Sequence, residues 1–120
     1  MLTWRLPVEG TSPVATLCHT ASDAGLPVHL SLLALQSNPV TVRPGCSVLV
    51  VENPQVLEAA VGRNWQWCVI AANGNPSMTV VTLVQQLVAA AAVVRYHGDF
   101  DSPGIAICRR LSEIGAVPWE

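Results

Sequence analysis

The chain has 120 residues and a mass of 12.7 kDa, the size of one domain. With 51% apolar residues, 12% charged residues and a mean hydropathy of +0.43, it has ample material for a core, and intrinsic disorder is excluded. The net charge is −2 and all six basic residues are arginine, which excludes Schiff-base chemistry, Walker-type phosphate loops and a lysine general base, and leaves nothing in the overall balance that announces nucleic-acid binding.

The opening MLTWRLPVEG lacks a basic region followed by a sustained apolar stretch, so no signal peptide is expected and the protein reads as cytoplasmic. Residues 1–45 are rich in Pro, Gly, Ser and Thr and read as an irregular segment, a remnant of a preceding region. Within it VHLSL alternates as a short strand does, and LLALQS could form a helical turn or two. His19 and His29 fall here and read as surface or structural. Turns are expected at Asn38-Pro39 and at Arg43-Pro44-Gly45.

From residue 46 to 120 the pattern is that of an α/β domain. SVLVV (47–51) is a β-branched apolar run of the kind buried on both faces of a sheet. Asn53 and Pro54 supply a cap and a first helical position for PQVLEAAVG, with Gly62 as a stop. A second buried strand follows at 67–72, and Trp65 and Trp67 beside it are expected to pack on the sheet. A helix near 77–90 carries a wide apolar stripe. Gln85 and Gln86 interrupt the apolar run, which is too short to cross a bilayer, so no membrane partner is expected. VVRYH gives a third strand, Ser102-Pro103 starts a third helix near 103–114, and AVPW begins a possible fourth strand. The alternation predicts a parallel sheet with helices on both faces and right-handed crossovers.

The four cysteines form no CxxC pair, so neither a zinc ribbon nor a thioredoxin-like site is expected, and Cys68 and Cys108 read as core filling. Three of the eight acids lie at strand ends: Glu52 after SVLVV, and Asp99 and Asp101 after VVRYH. Ligands of open parallel sheets bind outside the carboxyl ends of strands. If the first and third strands are adjacent, the three carboxylates converge and need a cation; oxygen-only ligands suit Mg²⁺ or Mn²⁺. The plainer alternative is that Asp99 or Asp101 caps the following helix beside Ser102, as Asn53 caps its own. His97 could bind phosphate, donate a proton or ligate a metal, or rest on a backbone carbonyl. Arg95 reads as a strand residue near the edge or surface, and Arg109 and Arg110 suit a helix C-terminus.

A strand ending in Glu, a helix, a strand with a Gly-containing turn, a helix and a strand ending in DxD is the order of the Toprim domain of topoisomerases, primases and related nucleases. More narrowly, VVENPQVLEAA, RYHGDFDSPGIAI and GAVPW resemble the C-terminal part of conserved hypothetical proteins encoded beside SMC-like ATPases in Wadjet-type plasmid-defence clusters. The resemblance covers about residues 25–120, with ENP and HGDFD its most specific blocks. It implies a Toprim-like (Rossmann-like) fold, DNA cleavage with Mg²⁺ or Mn²⁺, and an SMC-like ATPase complex as partner. It also implies that Glu52 is the acid/base glutamate and that Asp99 and Asp101 are the metal-binding pair. Family members carry a large N-terminal region expected to bind DNA, and Toprim domains usually continue with another strand and helix. The chain therefore reads as a truncated member with an incomplete C-terminal strand, weak on DNA alone. Two other readings are a docking domain that does not cut and, because of DFDSP, a haloacid-dehalogenase-like phosphatase. The last family places its motif after the first strand and uses a later Lys or Arg, whereas here the motif follows the third strand and lysine is absent.

Overall fold

A computed structural model describes residues 1–72, 78–97 and 111–118. Its centre is strand β3 (Ser47–Val51), whose four apolar residues are all buried. They alternate between two cores: Val48 and Val50 face one side, Leu49 and Val51 the other. Strand β4 (Cys68–Ala71) pairs parallel to β3 on one flank, and β5 (Val93–His97) pairs parallel on the other. The expected strands at 47–51, 67–72 and 92–97 are thus present and parallel, and the first lies between the second and third.

Residues 1–45 hold β1 (Leu2–Trp4), α1 (Pro13–Ala24), β2 (Val28–His29) and α2 (Leu32–Ser37); β2 and α2 fall on the expected VHLSL and LLALQS runs, whereas β1 and α1 lie where irregular chain was expected. The local signals are the same as elsewhere in the chain. Ser12 accepts from the Ala15 N–H at 3.1 Å, Pro13 occupies the first turn, and Gly25 at φ 70° ends α1 in the left-handed region. Strand β1 pairs antiparallel to β4, and β2 antiparallel to β1, so the sheet is mixed, in the order β2-β1-β4-β3-β5-β6. Its last strand, β6 (Val117–Pro118), pairs parallel to β5, as the AVPW run suggested.

Helices cover both faces. On one, α4 (Met78–Ala89) packs with α1, α2 and the Leu111 side chain over Val48, Val50, Ile70 and Val94. On the other, α3 (Pro54–Gly62) sets Leu57 and Ala60 against Leu49, Val51, Val69 and Trp4. Asn53 caps α3 by accepting the Gln55 N–H at 2.8 Å, directly after β3 ends. Among the described residues no helix is long and apolar enough to cross a membrane.

The polar break in the apolar run 78–94 has a structural use. Gln86 on α4 donates through Nε2 to the Leu35 carbonyl at 3.0 Å and accepts the Val40 N–H on Oε1 at 2.9 Å. One amide thereby satisfies two backbone groups at the end of α2 and the segment after it. Gln86→Leu removes both bonds and leaves both groups half-buried without them. We expect a loss of about 2 kcal/mol in urea unfolding, within the usual cost of unpaired buried polar groups. An unchanged midpoint would show that water replaces the amide there.

Candidate functional site

The carboxyl edge of the parallel strands is where the sequence places its acids, and the strand order bears directly on them. Chain order β3, β4, β5 becomes spatial order β4-β3-β5, so α4 carries the chain across β3. The connections leaving β3 and β4 lie on opposite faces of the sheet, which defines a switch point at the ends of β3 and β5. The register pairs Val51 with His97, the last residues of the two strands. One residue further on, the Glu52 N–H donates to the His97 carbonyl at 3.3 Å. The bond joins the backbones of Glu52 and His97 at one edge, while His97, paired with Val51, lines the α3 face of the sheet. Glu52 is half-buried and His97 is exposed.

Asp99 and Asp101 lie outside the described residues, as do Gly98, Cys108, Arg109 and Arg110. Among the described residues no group of three His, Cys, Asp or Glu side chains could hold a metal ion. Of the proposed carboxylate set, Glu52 is the one member described. Hard carboxylate oxygens of this kind fit Mg²⁺ or Mn²⁺ better than a soft or thiophilic metal.

The sequence reading missed the groove that opens beside these residues. It has a volume of about 640 Å³ and runs along the α3 face of the sheet. Leu49 and Val51 form the floor, Val56 of α3 one wall, Trp65 and Trp67 one end, and His97 the other. The two tryptophans, expected to pack on the sheet, are 38% and 43% exposed. It exists because α3 packs on β1, β4 and β3 and not on β5. The signal available in the sequence was the pairing of Trp65 and Trp67 at a spacing of two ahead of a strand.

Elsewhere the polar groups are structural. The Trp4 indole N–H donates to the Trp65 carbonyl at 3.0 Å, and the Arg5 guanidinium lies over the Trp4 ring while bonding Asn64. His19 bonds the Val8 carbonyl, in keeping with a structural role. Arg95 is half-buried on β5, which is flanked by β3 and β6 and is not an edge strand.

The mostly parallel sheet, with helices on both faces and Glu52 at the switch point, defines an α/β domain. Residues 28–120 match the family described as "Protein of unknown function C-terminus (DUF2399)", and the chain belongs to that family. No curated protein and no solved structure matches it.

The described thiols are poor nucleophiles. Burial pushes Cys18 up from 9.0 to about 11, and pushes Cys68 well above 9.0, with the neighbouring Cys46 and Cys18 adding to the effect. Burial also raises Cys46, partly offset by Arg43. A thiol whose pKa is raised by folding favours the native state while it stays protonated. That stability is fully present below pH 9 and is lost as pH climbs toward 11. We expect melting temperature to fall over that window, and less so in Cys18→Ala. In Ellman titration of the native protein, Cys46 should react faster than Cys18 and Cys68; rapid reaction of Cys68 would contradict its burial.

Proposed function

We propose that this chain is a Toprim-like, metal-dependent domain that cleaves DNA phosphodiesters, serving an SMC-like ATPase complex of the plasmid-defence type. The observation that carries the reading is the pairing of β3 with β5, which ends with the Glu52 N–H bonded to the His97 carbonyl, at the end from which GDFD continues in the sequence. The DxD aspartates are the proposed partners of Glu52 in a carboxylate set. A divalent ion bound there would neutralise charge developing on the phosphate oxygens. Glu52 would move a proton or complete the ion's ligands, and the exposed His97 would contact the phosphate or protonate the leaving oxygen. The backbone bond from Glu52 to His97 ties both groups to one rigid edge, so their separation is set by the sheet and not by a loop.

A net charge of −2 without lysine favours a second reading, a domain that docks onto such a complex without cutting. Under either reading DNA is held mainly by a partner or another region, since phosphate neutralisation needs clustered positive charge.

Nicking of supercoiled plasmid by the purified chain separates the two readings. We expect slow, Mg²⁺- or Mn²⁺-dependent nicking that falls about 100-fold in Glu52→Gln, the lower range for a lost general acid or base. Millimolar Mn²⁺ should raise the melting temperature of the parent and leave Asp99→Asn and Asp101→Asn unmoved. Nicking that survives EDTA, or an undiminished Glu52→Gln, would overturn the catalytic reading, and no nicking at all would select docking.

A further inference from the structure

The face of the sheet that α3 occupies is covered unevenly. Side chains of β5 alternate, with Val94 and Tyr96 facing the larger core, so Val93, Arg95 and His97 point to the α3 side. Register sets Arg95 beside Leu49 and His97 beside Val51, strand spacing being about 4.8 Å. No described helix packs over these three residues, and Val93 is 39% exposed. The groove thus has an apolar floor, a pair of indoles at the amino end of β3, and His97 at its carboxyl end, with Arg95 on β5 beside the floor residue Leu49. Gln66, between the indoles, adds an amide to the lining.

This arrangement matches one ligand chemistry. A lipid chain would use the floor but not the row of basic groups, and a phosphate alone would use the basic groups but not the indoles. A nucleotide strand alternates flat aromatic bases with anionic phosphates, and sites for unpaired strands combine aromatic platforms with a basic track. Bases of a duplex are already stacked on each other and cannot enter a groove walled by Val56 and the tryptophans. From Trp67, level with Ser47, to His97, level with Val51, the groove spans four rises of about 3.4 Å, roughly 14 Å, room for two or three nucleotides of an extended strand.

We propose that the groove binds unpaired nucleobases, stacked on Trp65 and Trp67, with the sugar–phosphate chain running past Arg95 and His97 to the strand ends. The inference deepens the phosphodiesterase reading and rests on it for the polarity of the strand: the phosphate to be cut lies at the carboxyl edge, past His97, and the bases in the groove are unpaired. Substrate would then be single-stranded or locally melted DNA, in preference to a relaxed duplex.

The test is fluorescence anisotropy of a labelled twelve-residue oligothymidylate with the full chain in EDTA at low salt. Comparison strands are the same length of duplex and an abasic strand with an identical phosphate chain. We expect oligothymidylate to bind at least tenfold tighter than either, since one base stacked on an aromatic ring contributes about that factor. Trp67→Ala and Trp65→Ala should fall to the abasic level, and Trp67→Phe should keep most of the affinity. Should the alanine variants fail to fold, Val56→Trp fills the groove from α3 and should abolish the base-dependent part alone. Equal binding of abasic and thymidylate strands, tighter binding of duplex, or full affinity in folded Trp67→Ala and Trp65→Ala would overturn the proposal. Because binding is read without metal, plasmid nicking by a chain that shows no base-dependent binding overturns this inference and leaves the nuclease reading standing. Base-dependent binding by a chain that never nicks supports the groove and removes the nuclease.

Discussion

The double burial of β3 is the constraint on which the rest of the structure depends. Val48, Leu49, Val50 and Val51 are all nearly inaccessible, and each contributes about 2 kcal/mol of gross apolar burial. That sum is comparable with the whole net stability of a small domain. It can be realised only if both faces of the sheet are covered and both flanks of β3 are paired. The helix α3 and the crossover through α4 meet the first requirement, β4 and β5 the second. A site at the carboxyl end of β3 is thereby held by the most constrained strand of the molecule, and Glu52 inherits that rigidity one residue beyond it.

The parallel half of the fold was legible because its signals are local. SVLVV has no polar residue after Ser47, Asn53-Pro54 states where α3 begins, and the apolar stripe of α4 repeats at helical spacing. The antiparallel half was not, although α1 is announced by the same Ser-Pro start and Gly stop. Strand β1 is three residues long, and its Thr3 and Trp4 are buried only because β4 and β2 lie on either side. Thr3 satisfies its hydroxyl on the Val28 carbonyl at 3.1 Å, a pairing across 25 residues that no window of sequence displays. Short strands defined by their neighbours are a tertiary fact, and Pro-, Gly- and Ser-rich connections around them read as irregular chain.

The candidate site divides the same way. That acids follow two strands is written in the sequence; that those strands are neighbours follows from one of several possible orders. The order β4-β3-β5 selects the one in which Val51 and His97 end side by side. The groove was invisible for a different reason. Trp65 and Trp67 look like core residues by composition, yet they lie in the segment between α3 and β4 and remain 38% and 43% exposed at the end of the groove. What a helix leaves uncovered cannot be read from the helix's own stripe.

The uneven cover also sorts the side chains of β5. On the larger core side, Tyr96 is tied by its hydroxyl to Ser112 at 2.7 Å, so that side of β5 is engaged by the chain leading into β6. Arg95 and His97 are left to the other side, while the other five basic residues, Arg5, Arg43, Arg63, Arg109 and Arg110, lie elsewhere in the sequence. The geometry of cover therefore opens an apolar groove on the face of β5 that carries Arg95 and His97, and that groove ends at the carboxyl edge of the sheet.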